Sequence, residues 1–246
     1  MNFRYLVPIE TTEPVVTFSL FHFPAGKRWW ALGQMGRSSL LGSSPKGLLF
    51  GKMLGSGKGG FSMVPDFSRY ALLCSWQSAQ DANAFFASAL VGDYLAQTNE
   101  TYTLQMAPVQ SHGFWNGINP FANTQQAFEN PALPLIVLTR ATIHWHRLPE
   151  FWRNVPKAQQ AIAHSPGLLF SVGVGELPLV QQATVSIWKD AEAIRHFAYN
   201  KTFHKDIVRM TRQRNWYRED LFARFVPVAT QGTYEGKDML EPYFTK

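Results

Sequence analysis

Apolar and polar positions in the second half of the chain follow two different periods. From Leu135 to Trp145 the residues are mostly apolar and β-branched, which predicts a strand. Over Leu148 to Ala163 the large apolar side chains Phe151, Trp152, Val155 and Ile162 recur at helical spacing, and Ser165-Pro166-Gly167 stops the helix they predict. Leu168 to Val174 and Gln182 to Trp188 read as a β-hairpin, Ala191 to Asn215 as a long helix and Leu221 to Val228 as a last strand. The order strand, helix, two strands, helix, strand is that of the ferredoxin-like split βαβ unit.

The first half repeats this wording. Ser44-Pro45-Lys46-Gly47-Leu48-Leu49-Phe50 recurs, less its lysine, as Ser165-Pro166-Gly167-Leu168-Leu169-Phe170. Trp76, Ala79 and Phe85 are spaced like Trp188, Ala191 and Phe197, and Pro108-Val109 leads to Gly113, Trp115 and Gly117 as Pro227-Val228 leads to Gly232, Tyr234 and Gly236. Three agreements in the same order imply an internal duplication. The expected fold is therefore α+β, two ferredoxin-like units (1–118 and 135–246) forming a dimeric α+β barrel within one chain. Residues 119–134, rich in Asn, Gln and Pro, would link them.

Composition narrows the class. Of 246 residues 46% are hydrophobic and 16% charged, with 8 Trp and 19 Phe, so a large core is expected rather than disorder. One cysteine, Cys74, leaves no intrachain disulfide or multi-Cys metal site, and a cytoplasmic protein is expected. No apolar run approaches the ~20 residues of a membrane span, and the opening Met1-Asn2-Phe3-Arg4 lacks the apolar core of a signal peptide, so neither a spanning nor an exported protein is expected. The net charge of +6 suits an anionic partner, but no nucleic-acid motif accompanies the one basic cluster, Lys201, Lys205, Arg209, Arg212 and Arg214, so nucleic acid is not an expected partner.

Several residues offer chemistry. Gly55-Ser56-Gly57-Lys58-Gly59-Gly60 fits the dinucleotide pattern, yet no helix follows, and Gly173-Val174-Gly175-Glu176-Leu177-Pro178 places Pro at the third glycine; both read as hairpin turns. His204 shares a helical face with Phe197, Ile207, Val208 and Thr211, so it is either a core histidine bonded to backbone or an axial haem ligand. In the first copy Gly92 takes its place. His196 lies on the same helix, turned by about 80°. His144 and His146, two apart on a predicted strand, form a potential metal pair without a visible third ligand, and His22 corresponds to His144. Arg140 points inward from an apolar strand and calls for an anion, a structural carboxylate or a cofactor propionate. No hydrolase motif is present, and Cys74 sits in an apolar strand where a thiol is inert.

Longer strings carry a resemblance. These are Thr17 to Phe21, Trp30 to Met35, Lys52 to Gly57, Leu138 to Ile143, Val172 to Pro178, Ser186-Ile187-Trp188, Phe197-Ala198-Tyr199, His204 and Trp216 to Phe225. Together they make most of the chain similar to the spheroidene monooxygenase family, bacterial enzymes that oxygenate acyclic carotenoids. The N-terminal 13 residues and the linker around Gln125-Gln126-Ala127-Phe128 stand outside the matching strings.

The resemblance implies oxygen insertion at an allylic carbon near a carotenoid end, giving a keto group. It also implies haem iron, dioxygen and an external electron donor such as a ferredoxin. Chlorite dismutases and dye-decolourising peroxidases look similar in holding haem under a helix histidine of the C-terminal half, which points to His204 as the iron ligand, with His196 next and Arg140 or a residue of the Lys201/Lys205/Arg209 cluster for a propionate. A carotenoid would need a long apolar cleft, for which Phe50, Phe170 and Trp145 are candidate walls. Peripheral contact with a membrane surface follows from so apolar a substrate. A monooxygenase acting on another apolar molecule and a non-catalytic haem or lipophile carrier are the alternative readings.

Overall fold

Strand β2 (Val15–His22) is buried along nearly its whole length because both its faces are covered. Val16, Phe18 and Leu20 point into the interior of a barrel, while Val15 and Phe21 point outward under helices. In the computed structural model, residues 3–37, 39–42, 44–122, 133–200 (backbone alone at 199 and 200), 210–211 and 213–244 are described. The remaining elements are β1 (Arg4–Tyr5), α1 (Arg28–Arg37), β3 (Leu48–Gly57), β4 (Pro65–Trp76), α2 (Ala79–Phe86), α3 (Ala89–Leu95), β5 (Glu100–Gly113), β6 (Leu135–Ile143), α4 (Leu148–Ala163), β7 (Leu168–Leu177), β8 (Gln181–Trp188), α5 (Ala191–Asn200) and β9 (Tyr217–Gly232). Short 3-10 turns lead into α1 and α4.

All strand pairings are antiparallel, in the order β9-β5-β2-β4-β3-β7-β8-β6, and β6 returns to β9 to close an eight-stranded barrel; β1 is an appendage on β9. The first half contributes the run β5-β2-β4-β3 and the second β9-β6-β8-β7, the same order of first, second, third and fourth strands. Two seams join them. The β5–β9 seam is long, running from Tyr102↔Gly232 to Gly113↔Leu221, whereas the β3–β7 seam pairs only Gly55↔Gly175 and Ser56↔Val174.

Matched residues take matched places. Trp76 ends β4 opposite Leu48 and Val15, and Trp188 ends β8 opposite Leu168 and Leu135. Gly47 and Gly167 both adopt positive φ (72° and 81°), so their carbonyls accept from Gln77 N–H at 2.7 Å and Lys189 N–H at 2.8 Å. The helices that follow are capped alike: Ser78 Oγ accepts from Asp81 N–H at 3.1 Å and Asp190 Oδ1 from Ala193 N–H at 2.8 Å.

The barrel interior is filled by side chains of both halves, including Phe18, Leu104, Trp115, Leu138, Val185 and Phe225. Outside it, α1, α2 and α3 cover the first sheet over Phe23, Leu72 and Trp76. Helix α4 packs through Phe151, Trp152 and Val155, and α5 through Ile194 and Phe197 against Val137 and Trp188.

Four expectations need correction. The glycines Gly55, Gly57, Gly173 and Gly175 lie within β3 and β7, and the turns come after them. They are small because neighbouring atoms approach: a Cβ on Gly173 would stand 2.7 Å from Phe61 Cα, and one on Gly175 2.5 Å from the Gln181 carbonyl oxygen. The strand expected to reach Trp145 ends at Ile143, so His144 and His146 lie in a turn rather than along a strand. The last strand is longer than expected at both ends. The helix expected over 191–215 is described as α5 to Asn200; Arg214 and Asn215 are already in a turn, and 201–209 lie outside the described residues.

Candidate substrate cleft and cofactor residues

The narrow β3–β7 seam leaves a cleft on its outer side. Its walls are Leu32 and Met35 of α1, Gly55 to Gly57 of β3, Phe61 and Met63 of the loop after β3, Gly173 to Gly175 of β7, and Leu179. It encloses about 240 Å³. A second cavity of about 400 Å³ shares Leu32 and Met35 and extends past Gly51 and Met53 to Lys52 and Glu176. The glycines make this space: a Cβ on Gly55 would stand 3.7 Å from the Met35 thioether, with the nearest backbone atom, the Gly175 carbonyl oxygen, at 4.0 Å. Phe61 closes one side, stacked on Trp152 at 5.4 Å, while Trp152 donates its indole N–H to the Leu179 carbonyl at 3.0 Å. The lining is mainly apolar with a polar end, as a site for an apolar ligand requires.

Behind that polar end is a charged network. Lys52 Nζ lies 2.6 Å from Glu176, which also accepts from the Trp115 indole at 2.5 Å and lies 3.7 Å from Arg140 Nη2. Arg140 is buried, stacks over Trp115 at 5.3 Å, donates to Asn116 Oδ1 at 3.3 Å, and is ion-paired with Glu219. Glu219 also accepts from the backbone N–H groups of Asn116 and Gly117 at 2.9 and 2.8 Å. Burial opposes ionisation of Glu219, but those two N–H groups and Arg140 outweigh it and hold its carboxyl below the usual range. Glu100 makes the corresponding contacts from the other half, accepting from Glu235 and Gly236 N–H at 2.9 and 2.7 Å.

The residues singled out from sequence fall in different places. Arg140 has carboxylate partners and faces the barrel interior, whereas α5 packs on the opposite face of the same sheet. His196 is exposed on α5, turned by about 100° from the buried Phe197. His204, Lys201, Lys205, Arg209 and Arg212 lie outside the described residues. His144 and His146 have ring centroids 5.3 Å apart, and among the described residues no group of three or more His, Cys, Asp or Glu is arranged to hold a metal ion. Cys74 is buried, and burial pushes its thiol pKa well up.

None of the three candidate walls lines the cleft. Phe170 and Phe50 point to the barrel side of their strands, against Tyr234 and Trp115, and Trp145 is 80% exposed because no strand holds it inward. Sequence reasoning missed Met35, Phe61 and Leu179. The available signal was that Lys52 to Gly57 and Val172 to Pro178, both noticed as strings, supply the two strands that meet at the seam.

The chain is 36% identical over 231 residues to the spheroidene monooxygenase of Rhodobacter capsulatus, covering 92% of this chain and 95% of that protein. The chain belongs to the spheroidene monooxygenase family. This is a family of oxidoreductase enzymes. The spheroidene monooxygenase of Cereibacter sphaeroides is also 36% identical, over 91% of this chain and 69% of that protein, and that of Rubrivivax gelatinosus 28%, over 96% and 91%. No protein-family model matches. Among solved structures, an aldoxime dehydratase crystallised with butyraldoxime shares the fold, with a TM-score of 0.61 at 12% identity over 96% of this chain and 87% of that one. A further aldoxime dehydratase aligns with a TM-score of 0.58 at 12% identity, over 97% and 92%. Among the described residues no helix is long and apolar enough to cross a membrane.

Proposed function

We propose that this protein is a haem-dependent monooxygenase that converts an allylic methylene near the end of an acyclic carotenoid to a keto group. The observation that carries the reading is identity at 36% along nearly the full length of both this chain and the Rhodobacter capsulatus enzyme. Each oxygenation consumes one dioxygen, two electrons from a donor such as a ferredoxin and two protons. One oxygen atom enters the substrate and the other leaves as water. A methylene needs two rounds, and the resulting gem-diol loses water to give the ketone. The cleft beside Met35 and Phe61 is proposed to admit the apolar chain and exclude water from it, and the reacting end would pass along the outer face of the second sheet, from β7 toward β9, to reach the haem. Incubating purified protein with spheroidene, a reductant and dioxygen tests this, and recovery of unchanged carotenoid under conditions where haem is present and reduced would sink it.

Haem fits the outer face of the second sheet better than the barrel interior, which side chains fill. On that face Thr139 is exposed, Phe222 is half-buried with His112 stacked on it at 5.1 Å, and Arg224 Nε is buried without a hydrogen-bond partner among the described residues. An aromatic face and an orphaned guanidinium atom suit a flat apolar group with carboxylate edges. Phe222 and Arg224 would hold it and His204 would supply a nitrogen ligand to its iron, while Arg140 stays with its carboxylates. Bound haem would supply the iron at which dioxygen is activated. The matched strand orders and caps also support reading the two halves as copies of one ferredoxin-like unit.

A further inference from the structure

Around the mouth of the cleft the protein exposes apolar side chains that a water-facing surface has no use for. Trp29 is 81% exposed and stacks on Phe67 at 6.3 Å; Phe67, Met63 and Leu179 are exposed and also line the cleft. Val64 stands beside Met63, and its carbonyl accepts from Lys58 N–H at 2.8 Å. Trp29 lies in the first turn of α1 and Phe67 is the third residue of β4, so both are held on rigid elements. A contiguous patch of this kind, rather than scattered single residues, marks an interaction surface.

We propose that this patch docks the protein on the surface of an anionic lipid bilayer, with the cleft mouth facing the acyl chains. Charge complementarity selects that occupant. Lys27, Arg28 and Lys58 are exposed in the segments that carry Trp29 and Val64, and the only carboxylate in residues 24–30, 58–67 and 177–182 is Asp66. Asp66 is turned inward, accepting from Ser68 N–H at 2.9 Å and Ser68 Oγ at 2.5 Å. Aromatic side chains flanked by cations are the composition that partitions into the headgroup boundary of a bilayer. The consequence for catalysis rests on the reading of the cleft as the carotenoid site: a substrate dissolved in the bilayer would enter without crossing water.

The test is co-sedimentation of the full-length protein with vesicles of phosphatidylcholine alone and of phosphatidylcholine with phosphatidylglycerol. The wild type should bind the phosphatidylglycerol vesicles preferentially. The W29S/V64S variant changes two exposed residues that do not line the cleft, and should weaken that binding about tenfold. K58S should weaken it about fivefold and lose its effect at high salt. F114S, at an apolar residue about as exposed as Val64 and outside the cleft lining, should bind as the wild type does. Turnover of detergent-dispersed carotenoid by W29S/V64S should be unchanged, whereas turnover of vesicle-embedded carotenoid should fall with binding. Undiminished vesicle binding by W29S/V64S overturns the proposal, as does a wild-type dimer in solution that the same variant converts to monomer. Vesicle binding without any carotenoid turnover would instead count against the cleft reading alone.

Discussion

Trp76 and Trp188 occupy the same place in the two halves, but each buried indole N–H finds its acceptor on a different strand. Trp76 donates to Thr17 Oγ1 of β2 at 2.9 Å, and Trp188 to Ser186 Oγ of its own strand β8, also at 2.9 Å. Thr17 pairs across the sheet with Cys74, and Val137 with Ser186. Each half has one such hydroxyl, on its first strand in one half and on its third in the other. A buried N–H without a partner is costly, so either arrangement serves and having neither does not.

That exchange predicts a rescue. T17V should lower stability by about 1–3 kcal/mol by orphaning the Trp76 indole. Adding C74S rebuilds in the first half the arrangement of the second, and should recover most of the loss. Urea denaturation of the wild type, T17V and T17V/C74S decides it, and a double variant no more stable than T17V would refute the assignment.

The repeated wording revealed the barrel because both halves bury a Trp at the matched place, turn the chain at a matched glycine and cap the helix that follows, which fixes residue types at matched spacings. The cleft was hidden for the opposite reason. It depends on two edge strands from different halves meeting at only two residue pairs, and on α1 supplying Met35, relationships that no local period records. Phe50 and Phe170 looked like walls because large aromatics invite that reading, yet strand alternation sends them into the barrel. Arg140 was recognisable as needing an anion, but Glu219 and Glu176 come from strands remote in sequence.

The seam glycines should differ sharply in what they tolerate. G175A drives a methyl to 2.5 Å from a backbone oxygen and G173A to 2.7 Å from a backbone Cα, so each should cost about 1–3 kcal/mol. G55A meets the flexible end of Met35 at 3.7 Å and the Gly175 carbonyl oxygen at 4.0 Å, both ordinary contact distances, and should fold with near wild-type stability. Thermal denaturation of the three variants is the check. Equal destabilisation by G55A would mean the seam is tighter than this structure shows.

Because Gly55 lines the cleft without supporting it, G55V separates function from folding. The added side chain should occupy space between Met35 and the seam and reduce kcat/KM for a carotenoid about tenfold or more, equivalent to about 1.4 kcal/mol. The melting curve should stay close to that of the wild type. Unaltered turnover in a folded G55V protein would remove the cleft as the substrate path.

Glu219 and Glu100 set an acid limit. Both are held below the usual carboxylate range despite burial, Glu219 by Gly117, Asn116 and Arg140, and Glu100 by Gly236, Thr233 and Glu235 with a contribution from His22. A carboxyl whose folded pKa lies below its unfolded one adds stability that is complete above the unfolded value and drains away as pH falls through the folded one. Stability should therefore decline on acidification from the ordinary glutamate range near 4.5 downward. E219Q/E100Q should be less stable at neutral pH and show a flatter acid limb in urea midpoints. A double variant with the wild-type slope would show that other carboxylates dominate.

Two histidines of one predicted helix can be told apart by spectrum. His196 is exposed on α5 while Ile194 and Phe197 hold the helix to the sheet, so H196A should leave fold, haem absorption and turnover unchanged. His204, proposed as the axial ligand, should behave otherwise: H204A should lose or strongly shift the Soret band and lose turnover. Loss of the ligand should also be partly repaired by added imidazole, which a purely structural histidine would not permit. The far-ultraviolet circular dichroism of H204A should match the wild type, because truncating one side chain removes only part of the stability of a domain this large. A folded H204A protein with an unaltered haem spectrum and full turnover would eliminate His204 as the ligand, and a shifted spectrum in H196A would put that residue in its place.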